Sequence, residues 1–372
     1  MVVGLDGRVL LEGFPSGVSQ AAAEVFLRLI AAAPEWQFVV FVSGQDKRLL
    51  DERTQEFVGK PNVRIVKRQI PNRILNLLIS FFGWPHLDQL AGGVDVWFAP
   101  NIGFVATHKA QLVLLVHDTT FVTYAGLLRS YTRCWLSMIR PKKLLLRADA
   151  VITPSEHSRK SILQEFPSVP EEHVSVLPFG PPQPPQRSEQ AWAKVQDRFQ
   201  LPQRFCVTLG TLEPRKNIRT LVEGWSPAMG TLVVVGAKGW DQLPRQAQVQ
   251  YVGYLTQEEK WTVLQHADCL IYPTIAEGFG LPLLEAFAAG TPVIAGPHTS
   301  LVEVGQDAVL WTNVHHQQAL HQAVQSLQTD DTLRQRLVSR GRSVLDTFSW
   351  DRSIQQLKQV MQGVTPQANR TL

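Results

Sequence analysis

Glu277-Gly-Phe-Gly-Leu-Pro-Leu-Leu-Glu285, continuing through Ala286-Phe-Ala-Ala-Gly290-Thr-Pro-Val-Ile294, sets two carboxylates eight residues apart around a loop that leads into a helix. Pro282 suits the first helical position, where its missing N–H loses no partner, so the pattern places 278–281 in the loop and Glu285 in the first turn. Both carboxylates then face one crevice. Gly278 and Gly280 let the backbone approach a ligand, and the free N–H groups at the helix start favour a phosphate. Glu277 and Glu285 are left to accept hydrogen bonds from sugar and ribose hydroxyls. A plain helix cap accounts for Glu285 but for neither Glu277 nor the two glycines, so a sugar-nucleotide site is the stronger reading.

Outward from this stretch, apolar runs flank it at 269–272 and 292–295, and the same alternation of apolar run and helix-length segment fills the chain. The runs are 2–5, 38–42, 63–66, 94–99, 112–116, 150–153 and 174–177, then 205–209, 231–235, 250–252 and 308–310. Continuous apolar runs separated by helices predict buried strands of parallel sheets, an α/β architecture and a doubly wound first domain. Pro178-Phe-Gly180-Pro-Pro-Gln-Pro-Pro-Gln186 holds too many prolines for a helix or an inner strand and divides two halves of similar rhythm. At 372 residues two cores are expected. The division is 1–180, a linker at 181–200, a second domain at 201–348 and a last segment at 349–372. In that segment Trp350, Ile354, Leu357 and Met361 recur at helical spacing.

With 44 % hydrophobic and 18 % charged residues and no low-complexity tract, the composition is that of a packed, enzyme-like body rather than a disordered one. Three cysteines (134, 206 and 269) without metal-ligand spacing suggest a reducing compartment. The N-terminus lacks a signal-peptide pattern and no apolar run reaches the ~20 residues of a membrane span, so a cytoplasmic location is expected. Net charge is +4, but 57–87 contains Lys60, Arg64, Lys67, Arg68 and Arg73 with no acid, and 119–148 contains Arg129, Arg133, Arg140, Lys142, Lys143 and Arg147 with no acid. Two readings stand level: peripheral contact with an anionic membrane or lipid phosphate, and a solvated basic helix face. No helix-turn-helix, zinc-ligand or RNA-recognition signature accompanies the charge, so no nucleic acid is expected.

Open α/β sheets bind ligands beyond the carboxyl ends of their strands. After 205–209 comes Gly210-Thr211-Leu-Glu-Pro-Arg215-Lys216-Asn217, with two adjacent cations at a helix start, where they oppose the peptide dipole unless an anion such as a diphosphate binds there. After 112–116 comes His117-Asp118-Thr-Thr-Phe121. A lone histidine is usually structural and Asp118 could cap the next helix, yet the place at a strand's carboxyl end favours function. Pro15-Ser16-Gly17-Val18-Ser19 occupies the equivalent place after the first strand.

The E-x7-E pattern enclosing Gly-Phe-Gly-Leu-Pro resembles the retaining glycosyltransferases of the large bacterial lipopolysaccharide and mannosyltransferase group. Further marks are Asp149-Ala-Val-Ile-Thr-Pro-Ser155-Glu-His-Ser158, Val235-Gly236 and Gly253-Tyr254-Leu255. The resemblance implies two facing Rossmann-like domains of GT-B type with an inter-domain cleft, and a closing helix at 349–372 that returns to the first domain. Gly210, Thr211, Gly236, Gly278, Phe279, Gly280 and Leu281 would bind the donor, with Arg215 and Lys216 on its diphosphate and Tyr254 and Leu255 at its base. Glu277 would contact the donor sugar, Glu285 the ribose and His117 the transferred sugar, with Asp118 and Gly17 on the acceptor side.

The resemblance further implies transfer of a hexose, mannose favoured, with retention by front-face attack. GDP-mannose is the favoured donor and a UDP-sugar the other; the acceptor is a glycan or a polyprenyl-linked lipid of cell-envelope or exopolysaccharide assembly. The setting is cytoplasmic or peripheral at the inner face of the plasma membrane. Neither an Asp-x-Asp pair nor a His/Cys cluster with ligand spacing occurs, so no metal and no cofactor is expected. Three rivals remain. An NAD-dependent oxidoreductase needs G-x-G-x-x-G after the first strand, where Asp6-Gly7-Arg8-Val9 stands. A sugar-nucleotide epimerase or phosphorylase can share the architecture, and a non-catalytic membrane-surface adaptor would use only the basic blocks.

Overall fold

Every one of those apolar runs is a strand in the computed structural model, which describes residues 1–11 and 17–364. In chain order they are β1 Val2–Asp6, β2 Gln37–Ser43, β3 Val63–Arg68, β4 Val96–Ala99, β5 Gln111–Leu115, β6 Ala150–Thr153 and β7 Val174–Val176. The second set is β8 Phe205–Leu209, β9 Thr231–Val235, β10 Val249–Gly253, β11 Cys269–Tyr272, β12 Val293–Ala295 and β13 Val309–Trp311. They form two parallel sheets, ordered 3-2-1-4-5-6-7 and 10-9-8-11-12-13. Strands β4, β6, β8 and β11 are buried at every residue, which is why their sequences do not alternate. Each sheet starts near its middle and winds outward both ways, so the order reverses at β1/β4 and at β8/β11. Loops leaving such a pair of strands diverge and open a crevice.

The chain forms two compact units, Met1–Phe179 together with the chain from Trp350 on, and Gly180–Ser349. Residues 181–188 have no regular element, but Glu189–Phe199 is already a helix of the second unit. Its start is set by Ser188, whose side chain accepts from Ala191 N, and its inner face by Trp192 and Val195; the Trp192 ring stacks on His266 at 4.4 Å. Chain that looks like linker through residue 200 thus regains structure once the prolines end.

The closing helix, Trp350–Val364, packs on the first unit with Ile354, Leu357 and Met361 buried. Lys358 Nζ donates to Ala32 O at 2.6 Å, satisfying a carbonyl at the end of helix Gly17–Ala32. Among the described residues no helix is long and apolar enough to cross a membrane. All three cysteines are free; Cys206 and Cys269 face each other across β8 and β11 with their sulfurs 3.4 Å apart.

Candidate active site

At the β8/β11 switch point the loops are pinned backbone to backbone. Gly210 N donates to Val235 O and Gly236 N to Gly253 O, each at 2.9 Å, extending the ladders past the strand ends. The chain after β8 passes so close to Gly236 that a Cβ there would lie 2.0 Å from Gly210 O. Glycine alone fits. Pro214–Lys216 then forms one turn of 3-10 helix, and Asn217 turns the chain with φ 54° into the short helix Ile218–Glu223. Ile275 N donates to Arg215 O at 2.9 Å, joining this turn to the loop after β11.

Glu277 is the hub of the site. Its Oε1 accepts from Lys216 Nζ, from the Tyr272 hydroxyl at 2.7 Å, from Thr274 Oγ1 at 3.1 Å and from Arg215 Nη1 at 3.4 Å. Burial alone pushes its carboxyl pKa up, but the charges of Lys216 and Arg215 outweigh that and hold it down to about 2. Burial lowers the Lys216 pKa, helped by Arg215 and opposed by Glu277. Burial and the Glu277 charge raise Tyr272 well above the ordinary phenol range, so it keeps its proton and donates. Arg215 also approaches Glu213, 3.7 Å away.

The main chain of Glu277 is clamped as well. Its N donates to Thr299 Oγ1 at 3.1 Å and its carbonyl accepts from Ser300 Oγ at 2.8 Å. Thr299 sits at φ 51°, ψ −137°, a region that β-branched residues rarely occupy. Thr299→Val keeps the shape and removes the acceptor, leaving the Glu277 amide unpaired. The expected cost is about 1–2 kcal/mol in urea unfolding, with weaker nucleoside diphosphate binding, and Thr299→Ser should restore both. An unchanged unfolding midpoint in the valine variant would contradict the clamp.

The helix after this loop differs from the expectation by one residue. Gly280, at φ 104°, is its cap, so Leu281 is the first helical residue, Pro282 the second, and the helix is Leu281–Ala289. Proline is tolerated there for the same reason as one position earlier, since the first four N–H groups of a helix need no intrahelical partner. Glu285 therefore lies in the second turn, not the first, and a dipole role for it falls away. Its Oε1 instead accepts from Lys260 Nζ at 2.6 Å, from helix Gln257–His266, with both side chains nearly buried. Gly278 and Phe279 are buried, Phe279 edge-on to Phe348 at 5.6 Å. A Cβ on Gly280 would meet Leu301 at 2.7 Å. Beyond β10, Tyr254 is exposed and Leu255 buried.

In the first unit, His117 Nε2 lies 2.9 Å from the Pro100 carbonyl. A carbonyl only accepts, so Nε2 carries the hydrogen and Nδ1 keeps a lone pair. Burial holds the His117 pKa below the ordinary imidazole value, against the opposing pull of Pro100 and Asp118. Asp118 Oδ1 accepts from Thr120 N at 2.9 Å and Thr120 Oγ1 at 2.5 Å, so it shapes the following turn. Gly17 opens helix Gly17–Ala32 and is exposed, whereas Pro15 and Ser16 lie outside the described residues.

Sequence reasoning missed Tyr272, Thr274, Thr299, Ser300 and Lys260, because strand ends, turn threonines and a lysine on a separate helix give no signal until the chain is folded. It also passed over Arg8, which replaces the glycine motif. Its guanidinium binds Asp6 at 2.5 Å and Phe104 O at 2.8 Å, at the carboxyl end of β1. That Asp-x-Arg pair after a strand was a legible signal. A further cavity, of about 880 Å³ and lined by Leu212, Lys238, Asp241, Arg245 and Tyr251, adjoins Gly236, whose carbonyl accepts from Tyr251 at 2.8 Å.

Residues 192–344 match the glycosyl transferases group 1 model and residues 15–180 match glycosyltransferase family 4. The O-antigen chain mannosyltransferase B of Escherichia coli is 33 % identical over 221 residues, 55 % of this chain and 58 % of that protein. The serotype-specific mannosyltransferase WbdA of Escherichia coli is 26 % identical over 234 residues, 55 % of this chain and 27 % of that one. These matches span about half of the first relative's length and about a quarter of the second's. The D-inositol 3-phosphate glycosyltransferase of Salinispora arenicola is 25 % identical, across 94 % of this chain and 87 % of that one. Among solved structures, Anabaena HepE in complex with UDP and glucose has a TM-score of 0.69 at 17 % identity, covering 97 % of this chain and 99 % of that one. Sucrose-phosphate synthase from Thermosynechococcus elongatus has 0.67 at 19 %, covering 98 % of each. Those two likenesses concern the fold. The chain belongs to the GT-B glycosyltransferases, with two Rossmann-like domains, family 4 in its first half and group 1 in its second.

Proposed function

We propose that the chain transfers a hexose, mannose before others, from a nucleoside diphosphate sugar to a glycan or polyprenyl-linked acceptor, with retention of anomeric configuration. The observation that supports it most is the convergence of Arg215 and Lys216 on Glu277 beside the loop that opens helix Leu281–Ala289. Glu277 and Glu213 hold the two adjacent cations in place, and fixed charge in a half-buried crevice stabilises a departing phosphate by roughly 3 kcal/mol per donor. On this reading no metal is required. The Gly210, Thr211 and Gly236 turns and the 278–281 loop bound the diphosphate, Tyr254 and Leu255 the base, and Glu285 the ribose.

Glu277 is poorly suited to be a covalent nucleophile: four donors share its Oε1 and its carboxyl pKa is about 2. It orients the donor sugar and sets the two cations, while the leaving phosphate accepts the acceptor's proton. Neutral His117, with Nδ1 free to accept, hydrogen-bonds the transferred sugar; Asp118 and Gly17 belong to the acceptor side. The relatives named as mannosyltransferases support mannose as the sugar, for which GDP-mannose is our favoured donor, and the UDP bound to HepE keeps a UDP-sugar as the second choice. The proposed setting is the cytoplasm or, peripherally, the inner face of the plasma membrane.

The test is a panel of labelled sugar nucleotides with polyprenyl-linked acceptors, with chelator present. Mannosyl transfer from GDP-mannose is expected, with the donor's anomeric configuration kept in the product's NMR spectrum. Conversion of donor without acceptor would instead favour an epimerase or phosphorylase, and an inverted product would refute retention.

A further inference from the structure

The first sheet reverses its order at β1/β4, and Asp6, Gly7 and Arg8 carry the chain out of β1 there. Asp6 takes the Arg8 guanidinium as a fork: Nε donates to Oδ1 at 2.8 Å and Nη2 to Oδ2 at 2.5 Å. The Arg8 and Asp6 side chains are 11 % and 7 % exposed, so this is a nearly buried charge pair with one fixed geometry. Gly7 lets the turn lie against β2, where a Cβ would come within 2.9 Å of Val42 and 3.0 Å of Phe41 O. A guanidinium has five N–H groups, and the carboxylate does not use them all. Nη2 also donates to Phe104 O at 2.8 Å, and Nη1 to Asn76 Oδ1 at 3.3 Å.

Phe104 belongs to the chain between β4 and β5, where 100–110 form no helix or strand. This stretch is held by its carbonyls. Arg8 donates to Phe104 O from the β1 side, His117 Nε2 donates to Pro100 O at 2.9 Å from the β5 side, and Leu87 N donates to Ala106 O at 2.8 Å. Because β4 lies between β1 and β5 in the sheet, the loop leaving it is tied from both flanks. The Phe104 ring, edge-on to Trp135 at 4.7 Å, anchors it in the core. The main chain of His117 is fixed separately, since Ser158 Oγ donates to its carbonyl at 3.1 Å. What orients the imidazole is therefore the place of Pro100 O, four residues before the carbonyl that Arg8 holds.

We propose that Arg8 is a positioning residue for His117. Locked by Asp6, it fixes the 100–104 backbone so that Pro100 O takes the Nε2 hydrogen and Nδ1 keeps its lone pair for a hydroxyl of the transferred sugar. Lysine cannot replace it: a planar fork holds a carboxylate and a carbonyl at once in set directions, whereas an ammonium on a flexible stem does not. The arginine stands where a dinucleotide site would have glycines, so a support fills the place that a phosphate would take there. Its effect on transfer rests on the proposed contact of His117 with the sugar; its hold on the imidazole does not.

The full chain is labelled with ¹⁵N and ¹³C at histidine, and the His117 ring is assigned by the signal missing from His117→Asn. In the wild type the ring should be the Nε2–H tautomer and titrate below the ordinary imidazole value. In Arg8→Lys the ring should average between tautomers and titrate closer to that value, because burial, the larger influence on it, relaxes with the loop. Turnover should fall roughly ten- to hundredfold, the loss expected of a misplaced group. Quenching of tryptophan fluorescence by GDP or UDP should stay as in the wild type, since the proposed nucleotide site lies in the second unit. Asp6→Asn with Arg8→Met removes both charges together, leaves no lone buried carboxylate, and should give the same spectra. It decides the matter if the lysine variant does not fold. A wild-type tautomer and titration of His117 in either folded variant overturns the inference, as does a loss of nucleotide binding in step with turnover. If the wild type transfers no sugar, the proposed function fails while the His117 spectra still judge the hold of Arg8.

Discussion

Lys216→Ala is expected to lower sugar transfer by a factor on the order of 10²–10³ and to destabilise the second unit at the same time. The first effect follows from losing one fixed cation where a diphosphate departs, a loss of the size seen when a single preorganised donor is removed. The second follows from the geometry. Lys216 Nζ bonds both Glu277 and the Tyr272 hydroxyl, and the Lys216 and Glu277 side chains are 14 % and 11 % exposed. Removing one partner of such a pair leaves a nearly buried carboxylate short of charge, which costs about 3–5 kcal/mol.

The Glu277 pKa of about 2, against an ordinary 4.5, makes the same point through pH. A lowered carboxyl pKa contributes stability that is complete above the unfolded value and is lost as pH falls through the folded one. In the wild type this is roughly 3 kcal/mol, disappearing between about pH 5 and pH 2. Without Lys216 that acid-side slope should flatten. The double variant Lys216→Met with Glu277→Gln separates the roles. Taking both charges away should recover much of the stability lost in the single variant, yet transfer should stay absent. Wild-type transfer rates in Lys216→Ala, measured with saturating donor, would remove this crevice from the chemistry.

Much of this site is legible in sequence because its parts follow apolar runs. Gly210, Arg215 and Lys216 come after β8, Gly236 after β9 and Glu277 after β11, and a parallel sheet delivers such residues to one edge whatever the details of the loops. What stays hidden is which partner each residue takes. Glu285 reads as a ribose contact in the first turn of its helix, but the helix begins at Leu281, and its contact with Lys260 depends on two helices packing side by side. Thr299 gives no sequence sign that it lies at positive φ; only the closure of the 296–300 loop on Glu277 imposes it. The basic blocks look alike as composition. One is engaged with helix-end carbonyls and the other is left at the surface, a difference that lies wholly in tertiary contacts.

Gly236→Ala is expected to be a severely damaging substitution in the second unit. The added carbon would sit 2.0 Å from Gly210 O, 2.5 Å from Gly210 C and 3.2 Å from Thr211 N, all of them backbone. No side chain can rotate away. Relief requires the loops after β8 and β9 to separate, which breaks the bond from Gly210 N to Val235 O or that from Gly236 N to Gly253 O, and φ of 154° at residue 236 adds conformational cost. A loss of about 3 kcal/mol or more is expected, within the range of severe backbone mutations. Separation also carries Gly210 away from Lys216, whose side chain a Cβ on Gly210 would meet at 3.3 Å, so the cations lose their footing as well. Quenching of tryptophan fluorescence by GDP or UDP should therefore weaken even at temperatures where circular dichroism reports a folded chain. Gly230→Ala is the control: its φ of 79° gives it similar backbone strain, but nothing lies within 4 Å of its added carbon. If both variants unfold alike and bind nucleotide alike, strain rather than the β8–β9 contact sets the effect, and the pinned loop is not what positions the cations.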